Sequence, residues 1–384
     1  MKACSTSTNA ADPYRAGTMM GDVLAAISPE VIFLFSTVHY ENPQELVEGL
    51  YDSIGNDDLV IIGSTGDGFF ESEGPRDIGA CALALNSEGL VRWRASHALG
   101  VGEQPAQTAR TALSDALQAC GDDKPTCMFM VSDFRADASQ IEKVLEFETD
   151  IPIVGGFAAD DNKMASCTLY ANRRALSDAV VVMTASGELH FDISIGNTLN
   201  AVGQPGVIDK AEGATIFSID GTDAMDFIER ETGKPVLQSD RGITSLSIID
   251  SDEPDITRLR SIVPDFSVSE RFLGLYGGIE QGKTVQVCLA QPETIISEVY
   301  SIAEKARKRG VKPVAALIVS CVGRKWLLGH EIEHEIRALA EHFGSALPIA
   351  GFPSFGEIGP LKTAKGYSRN LFHNMTYVLL LISE

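Results

Sequence analysis

The chain has 384 residues, of which 44% are hydrophobic and 22% charged, and its formal net charge is −22. It is longer than most domains with one core, and its hydrophobic fraction is that of a globular protein, so we expect two domains. A surface this acidic repels nucleic acid and anionic lipid, because both are bound through clustered Lys or Arg, and we therefore expect neither as a partner.

The cysteines and the N-terminus indicate in which cellular compartment the protein resides. The seven cysteines are odd in number and contain no CxxC pair, which favours a reducing environment over a disulfide framework. The first fifteen residues lack the apolar region of a signal peptide, and no segment is apolar enough over about 18 residues to span a membrane. We expect a cytoplasmic protein without membrane association.

The first third of the chain predicts one unit of alternating helices and strands. Its last buried strand, at 59–68, breaks at glycine and ends in a loop that closes on Asp67. Antiparallel strand patterns at 78–85 and 89–97 follow. The preceding elements are, in chain order, an amphipathic helix at 19–27, an apolar strand at 31–37 and a helix at 43–55.

The same pattern recurs twice, which is the sign of an internal repeat. The loop after the glycine ends at Asp160 in the second copy and at Glu357 in the third. The second copy consists of a helix at 107–120, a strand at 127–133, a helix at 138–148 and a strand at 151–161. The third consists of a helix at 293–310, a strand at 316–321, a helix at 329–344 and a strand at 347–359.

An insertion at about 204–290 separates the second copy from the third. It predicts a turn at Asp220-Gly221, a short helix over 222–231 and a hairpin formed by 272–278 with 282–290. The predicted fold class is mixed α/β, with repeated helix-strand-helix-strand-hairpin units and mixed sheets covered by helices. We place one domain at 14–204, with two repeat units, and a second at 205–384, with the insertion and the third unit.

The features that all copies share indicate a binding site. Each first strand ends in serine, at Ser36, Ser132 and Ser320, and ligands of open α/β sheets sit at such carboxyl ends. Glycine admits a ligand to the backbone, and a carboxylate accepts a cationic or amino group. The alternative is that serine caps the next helix and the acid bonds its own loop. The candidates in the three loops are Gly63, Ser64, Thr65, Asp67, Gly155, Gly156, Asp160, Phe355, Gly356 and Glu357, with Cys321 and Arg324 added in the third copy.

Three catalytic patterns have competing interpretations. His330 and His334 form a literal HExxH, but the apolar stripe of that helix lies on its other face and the other copies lack histidine there, so we do not predict zinc. The glycine loop at 63–68 lacks a following helix and a Walker lysine, which favours a tight turn over a phosphate site. Cys321 or Ser354 could serve a small-molecule hydrolase as nucleophile, and this is the alternative function.

An ordered set of segments resembles the FIST sensory family over nearly the whole chain. The segments are 61–66 and 153–156 for the N-terminal half, and 219–224, 278–282, 320–324, 328–333, 348–359 and 372–376 for the C-terminal half. The last segment, Phe372-His-Asn-Met-Thr376, adds Asn374 and Thr376 to the ligand-binding candidates. Two positions depart from the family pattern: Pro353-Ser354-Phe355 replaces a Tyr-rich stretch, and Met375 replaces a common Gln.

The resemblance implies a non-catalytic intracellular sensor of a small ligand, with amino acids or their derivatives proposed. Members of this length resemble the stand-alone, haem-binding, nitric-oxide-sensing NosP type, which works through a separate histidine kinase. Haem iron needs an axial ligand in an apolar pocket, and His39 and His373 lie at motif positions. We therefore expect haem or a small amino ligand, with a histidine kinase as partner and homodimerisation left open.

Overall fold

The computed structural model describes residues 1–249, 256–263 and 271–383. Unit one begins with a strand that sequence analysis did not predict, and its first helix begins at Pro13 behind Asp12, whose carboxylate accepts the N–H of Arg15 at 2.7 Å. The elements of unit one are β1 (Lys2–Thr8), α1 (Pro13–Leu24), β2 (Val31–Ser36), α2 (Pro43–Ile54), β3 (Val60–Thr65), β4 (Phe69–Glu71), β5 (Gly74–Arg76) and β6 (Ala80–Asn86).

Unit two repeats this order, without the 3₁₀ turn that follows α1 at Ala25–Ile27 in unit one. Its first helix begins at a proline, as in unit one, because proline lacks the N–H that a first helical turn leaves unpaired. Its elements are β7 (Val91–Leu99), α3 (Pro105–Cys120), β8 (Pro125–Ser132), α4 (Ala138–Phe147), β9 (Ile153–Phe157), β10 (Leu169–Ala171), β11 (Arg174–Leu176) and β12 (Ala179–Gly187).

Unit three is divided by the insertion, which lies between its first strand, β13 (His190–Gly196), and its first helix. The insertion comprises β14 (Asn200–Glu212), β15 (Thr215–Ile219), β16 (Thr222–Asp223), α5 (Ala224–Thr232), β17 (Thr244–Ile249), β18 (Arg258–Val263), β19 (Leu273–Leu275) and β20 (Thr284–Leu289). The rest of unit three is α6 (Pro292–Lys308), β21 (Pro313–Cys321), α7 (Val322–Leu328), α8 (His334–Phe343), β22 (Ile349–Ser354), β23 (Glu357–Thr363), β24 (Gly366–His373) and β25 (Tyr377–Ser383).

The three units form three six-stranded sheets of the same strand order, and each sheet is completed by a hairpin from another unit. The orders are β1-β6-β2-β3-β10-β11, β7-β12-β8-β9-β23-β24 and β13-β25-β21-β22-β4-β5. In each sheet the pair joined by a helical crossover is parallel, namely β2/β3, β8/β9 and β21/β22. Unit one thus gives its hairpin to unit three, unit three to unit two, and unit two to unit one.

The inner faces of the three sheets share one hydrophobic core. Side chains alternate along β2, so that Phe33 and Phe35 point inward while Ile32 and Leu34 pack under α1 and α2. The ring centroids of Phe33 and Phe129 are 5.2 Å apart, and those of Phe35 and Phe352 are 4.8 Å apart. Helices cover the outer faces of all three sheets, which confirms the predicted mixed α/β class with helix-covered mixed sheets.

The insertion forms its own sheet, which we call the inserted sheet, and it closes on itself because β14 pairs with both β20 and β15. The predicted turn at Asp220-Gly221 and helix α5 are confirmed. The predicted hairpin of 272–278 with 282–290 is wrong: β19 pairs with β15 and β18, whereas β20 pairs with β14 and β17. Both strands find longer-range partners that a local turn signal does not reveal.

Two further elements differ from the sequence prediction. The predicted helix at 329–344 is a 3₁₀ turn over Gly329–Glu333 followed by α8, and α7 precedes it. The predicted domain boundary at 204/205 stays a prediction, although every six-stranded sheet except the first draws strands from both sides of it. Among the described residues no helix is long and apolar enough to cross a membrane.

Candidate functional site

The carboxyl ends of the three parallel strand pairs converge at one end of the shared core. The loop that follows each pair is hydrogen-bonded to the next unit, so that the three loops form a closed ring. The bonds run from the N–H of Asp67 to the carbonyl of Pro353 at 3.2 Å, from Phe157 to Gly356 at 2.8 Å, and from Ala159 to Thr65 at 2.9 Å.

One cavity at this end lies between unit three and the inserted sheet, and we call it the unit-three cavity. Its volume is about 30 Å³, which admits a water molecule, so a larger ligand requires the inserted sheet to move outward. The amide oxygen of Asn374 accepts the N–H of Ser261 at 3.1 Å and holds the two walls together. The residues that line it include Ser261, Tyr276, Cys321, Trp326, Ser354, Phe355 and Asn374.

A buried cluster of charged side chains lies behind the cavity wall. Arg324 Nε donates to Glu335 Oε1 at 2.7 Å, and these two side chains are 1% and 0% exposed. Thr376 Oγ1 donates to Glu357 Oε2 at 2.8 Å. Arg324 Nη2, Glu335 Oε2 and Glu357 Oε1 make no hydrogen bond of ordinary geometry with the described residues, although the Ser320 hydroxyl lies near Glu335 and the Cys321 thiol near Glu357. Unsatisfied buried polar atoms are costly in a structural core, so this cluster has capacity for a further polar group.

Burial shifts the protonation of this cluster. Desolvation raises the pKa of Glu357 to about 8, although hydrogen bonds from Thr376 and the charge of Arg324 oppose the rise. Desolvation also raises the pKa of Glu335, against the opposing charge of Arg324. The Cys321 thiol lies beside the Glu357 carboxyl. The pKa of the thiol is raised mainly by burial and, to a smaller extent, by the charge of that carboxyl. At neutral pH, Glu357 is mostly an uncharged acid.

The structure brings together the candidates predicted in the third copy. Cys321, Phe355 and Asn374 line the unit-three cavity, while Arg324, Glu357 and Thr376 form the cluster behind it. Gly356 lies at the junction with unit two, where its carbonyl accepts the N–H of Phe157. The assignment of these residues to a ligand stays a prediction.

The candidates from the first copy lie outside this cavity. The carboxylate of Asp67 accepts Lys325 Nζ at 3.0 Å and Trp326 Nε1 at 3.1 Å, and so fastens unit one to α7. Thr65 Oγ1 accepts the N–H of Thr168, and Ser64 is buried inside β3. Asp67 therefore does not line the cavity itself, but it is hydrogen-bonded to Trp326, which does.

The predicted glycines have a structural explanation in strand pairing. A Cβ at Gly63 would collide with the carbonyl of Leu34, and one at Gly155 with that of Met130. A Cβ at Gly156 would lie 2.6 Å from Ser354 Oγ. These glycines permit close contact between the backbones of neighbouring strands, so their presence at the strand ends does not require a ligand.

Asp160 holds its own loop, as the alternative interpretation of the carboxylates predicted. Its two oxygens accept four consecutive backbone N–H groups, from Lys163 at 3.0 Å, Met164 at 2.9 Å, Ala165 at 2.7 Å and Ser166 at 3.4 Å. No equivalent loop surrounds Glu357, which instead lies at the start of β23. The repeated carboxylates thus have different roles.

Neither predicted axial histidine is placed to hold haem. His373 is completely buried, its Nε2 lies 2.9 Å from the carbonyl of Gly359, and burial lowers its pKa to about 4. A macrocycle could reach it only if the surrounding strands separated. His39 is exposed, beside the carboxylate of Asp161. The residues at these two positions do not fit the enclosed apolar pocket that haem requires.

The HExxH residues are placed apart from the cavity. His330 is exposed in the 3₁₀ turn, and His334 Nδ1 lies 3.0 Å from the hydroxyl of Tyr300. Within 1–249, 256–263 and 271–383, no group of three or more His, Cys, Asp or Glu side chains is arranged to hold a metal ion.

The alternative nucleophiles lack an activating arrangement. Ser354 Oγ donates to the carbonyl of Gly356 at 2.6 Å, so its proton is directed to an acceptor that cannot remove it. Cys321 has a raised pKa, whereas a nucleophilic thiol requires a lowered one. The geometry gives no support to hydrolysis at either residue.

Three residues at this site, Glu335, Ser261 and Tyr276, were not predicted from the sequence. Glu335 had a signal, because it lies on the apolar stripe of the helix, three residues after Ile332 and four before Leu339, where a charge must be buried. Ser261 and Tyr276 come from the inserted sheet, and their position against unit three depends on tertiary packing.

Comparisons with known proteins agree with this architecture. Residues 30–222 match the FIST N domain and residues 248–360 match the FIST C domain. The uncharacterised protein MJ1623 of Methanocaldococcus jannaschii is 27% identical over 203 residues, which are 50% of this chain and 39% of that protein. The chain thus matches less than half the length of this curated relative.

Two solved structures show a remote likeness to this chain. Cyanuric acid hydrolase from A. caulinodans is 9% identical, with 100% of this chain and 99% of that chain covered and a TM-score of 0.33. PurL of T. maritima complexed with ATP is 10% identical, with 100% and 71% covered and a TM-score of 0.21. At these scores the likeness says nothing about function. The two domain matches cover most of the chain, and the protein is a member of the FIST family of sensory ligand-binding domains.

Proposed function

We propose that this protein is a non-catalytic sensor that binds a small molecule with an amino group in the unit-three cavity. The observation that carries the proposal is the buried carboxyl of Glu357, whose Oε1 makes no hydrogen bond of ordinary geometry with the described residues and which lies behind the cavity-lining Cys321. Membership of a sensory ligand-binding family supports the same conclusion. The amide of Asn374 and the ring of Tyr276 supply polar and aromatic contacts on the other walls.

Because its pKa is raised, Glu357 is expected to lose a proton when the ligand binds. A cationic amino group near the carboxyl favours its ionised form, so that Glu357 releases a proton to solvent when the ligand enters. Attraction between the resulting carboxylate and the ammonium group then offsets part of the cost of burying both. Binding of this kind is weaker in acid, where the proton is harder to remove.

The ligand can be sought with a thermal-shift panel of amino acids and simple amines. A ligand present at about 100 times its Kd stabilises the folded state by about 2.7 kcal/mol, which a melting curve resolves. We expect a panel member with an amino group to raise the Tm of the wild type and to lose this effect in Glu357→Gln. Glu148→Gln, which changes a carboxylate paired with Arg110 at the surface of unit two, is the matched control. Equal stabilisation of wild type and Glu357→Gln, or no stabilising amine, would refute the proposal.

The output of the sensor is expected to be a change in a separate histidine kinase. Purified protein, with and without the amine identified in the panel, should alter the autophosphorylation of the cognate kinase. An unchanged rate in both conditions would remove the kinase from the proposal while leaving ligand binding intact.

We do not include haem in the proposed function, because His39 and His373 do not fit it. Protein produced with haem supplied should therefore show no Soret band that depends on these residues. A band that is present in the wild type and lost in His39→Ala or His373→Ala would restore the haem-based, nitric-oxide-sensing alternative.

A further inference from the structure

A second and larger cavity lies on the other side of β18, between α4, the inserted sheet and β24. Its volume is about 590 Å³, within the range of about 300–1,000 Å³ that small-molecule sites occupy. Arg260 faces this cavity, whereas the next residue, Ser261, lines the unit-three cavity, because consecutive strand residues point to opposite faces. We call this second cavity the Arg369 pocket.

The core of this pocket is built on a satisfied ion pair. Arg260 Nη2 donates to Glu142 Oε2 at 2.5 Å, and both side chains are buried. Glu142 also accepts the N–H of Phe372 at 3.0 Å, and Arg260 donates to the carbonyl of the same residue at 3.0 Å. These groups have their partners already and form the floor of the pocket.

The rim includes the aromatic ring of Phe147 and the cationic side chains of Arg369 and Lys143. Phe147 is 66% exposed, a large fraction for a phenylalanine, and the Arg369 guanidinium lies over its ring at 5.1 Å. Arg369 is 53% exposed, and its ion pair with Glu146 is long, at 3.8 Å, while Arg258 lies closer to the same carboxylate, at 3.0 Å. Lys143 lies one helical turn before Phe147 and meets Glu280 at 3.3 Å across the solvent-exposed mouth.

We propose that the Arg369 pocket binds a small aromatic anion. Its ring would pack on Phe147, and its carboxylate or phosphate group would be held by Arg369 and Lys143. Guanidinium groups recognise planar or tetrahedral oxyanions through paired N–H donors, and the long contact to Glu146 leaves those donors available. This site is separate from the amine site proposed in the unit-three cavity, since the two cavities share no lining residue.

Titration calorimetry at low ionic strength tests the proposal with two probes, benzoate and phenyl phosphate. We expect at least one to bind the wild type, with an affinity that falls as salt is added. Preference for benzoate would assign a carboxylate ligand, and preference for phenyl phosphate a phosphorylated one. Benzyl alcohol, which has the ring without the charge, should bind at least about tenfold more weakly, because charge-assisted hydrogen bonds to Arg are then lost.

Variants connect that binding to the pocket. Arg369→Gln and Phe147→Ala should each weaken binding of the probe by about tenfold or more. Neither residue is buried, so we expect both variants to fold. Arg173→Gln is the matched control, because Arg173 is an exposed arginine over another ring, that of Tyr51, at 4.1 Å. Failure of both probes to bind the wild type, or equal weakening by Arg173→Gln, would overturn the proposal, and neither result depends on the unit-three cavity.

Discussion

Glu357 and Arg324 show how much of this protein's chemistry rests on a few buried side chains. Glu357 follows its strand pair as Asp67 and Asp160 follow theirs, and burial raises the pKa of Glu357 to about 8. Asp67 is partnered by Lys325 and Trp326, and Asp160 by its own loop. A carboxyl with fewer partners and full burial keeps its proton, which makes Glu357 responsive to a ligand and to pH.

Glu357 should make the stability of the protein depend on pH. Its pKa is about 8 in the folded state and about 4.5 when exposed, so its stabilising contribution is complete below about 4.5 and is lost as pH rises through about 8. Glu357→Gln does not titrate, and its free energy of unfolding relative to the wild type should rise by at most about 1.4 kcal/mol per pH unit between about pH 5 and pH 8. Urea unfolding of both proteins at several pH values measures this difference, and a difference that does not change with pH would contradict it.

His373 adds the opposite trend in a lower window. Its pKa falls from 6.5 to about 4 on burial, so the stability that it contributes as a neutral side chain is lost as pH falls from about 6.5 toward 4. Because His373 is present in both the wild type and Glu357→Gln, this trend appears in each unfolding curve and cancels from the difference between them.

Loss of the Arg324 side chain should be strongly destabilising. Arg324→Ala leaves Glu335 buried without its partner, and breaking a buried ion pair costs about 3–5 kcal/mol. Arg337→Ala, which removes an exposed arginine paired with Glu333 on the same helical segment, should cost less than about 1 kcal/mol. Chemical denaturation of the two variants compares these values. Equal losses would show that the buried pair contributes no more than the surface pair.

At the scale of elements, the inserted sheet covers the unit-three cavity and also forms a wall of the Arg369 pocket. Strand β18 separates the two cavities, with Ser261 bonded to Asn374 on one side and Arg260 bonded to Phe372 on the other. Residues 372 and 374 are adjacent to His373 in the same chain segment. Movement of the inserted sheet therefore affects both cavities at once.

The contact between α7 and the inserted sheet should be sensitive to one glycine. A Cβ at Gly323 would lie 2.5 Å from Met375 Sδ and 3.0 Å from the carbonyl of Gly242, so Gly323→Ala should push the inserted sheet outward. We expect faster hydrogen–deuterium exchange over β17 and β18, measured by mass spectrometry. Gly102→Ala, at an exposed position in unit two, is the control. Unchanged exchange over β17 and β18 would show that the sheet does not yield at this contact.

At the scale of the whole molecule, cyclic exchange of hairpins joins the three units into one structure. Two of the six strands in the sheet of unit two, β23 and β24, come from unit three. Two of the six in the sheet of unit three, β4 and β5, come from unit one. The shared core also contains side chains from both sides of the predicted domain boundary. The two FIST domains therefore depend on each other for their sheets and core.

A fragment of residues 1–204 should not fold cooperatively alone. Without β23, the strand β9 becomes an exposed edge, and the aromatic core loses Phe352. Co-expression with 205–384 should restore a complex with one cooperative melting transition, which calorimetry detects. A sharp, native-like transition of 1–204 alone would show that the hairpin exchange is dispensable.

Much of this architecture could be predicted from the sequence, because it depends on local patterns. The buried strands at Val31–Ser36 and Ile349–Ser354 are short apolar runs, and the helices between parallel strands follow from their 3.6-residue periodicity. The N-terminal strand was not predicted, since Lys2–Thr8 is polar and becomes a strand only by pairing with β6. The chain does not continue from β24 to β25 as one extended strand, because Met375 has a φ of 55° and its side chain does not alternate with those of its neighbours.

The sequence by itself determined the threefold repeat, the mixed α/β class, the family and the third copy as the place where extra polar residues gather. Hydrophobic periodicity and glycine positions are local properties, and each copy displays them independently. Only the tertiary structure decided which unit completes which sheet, that Glu335 pairs with Arg324, and that the inserted sheet closes over Cys321 and Asn374. These contacts join residues far apart in the chain, and their energies come from burial and charge pairing that exist only once the units have packed together.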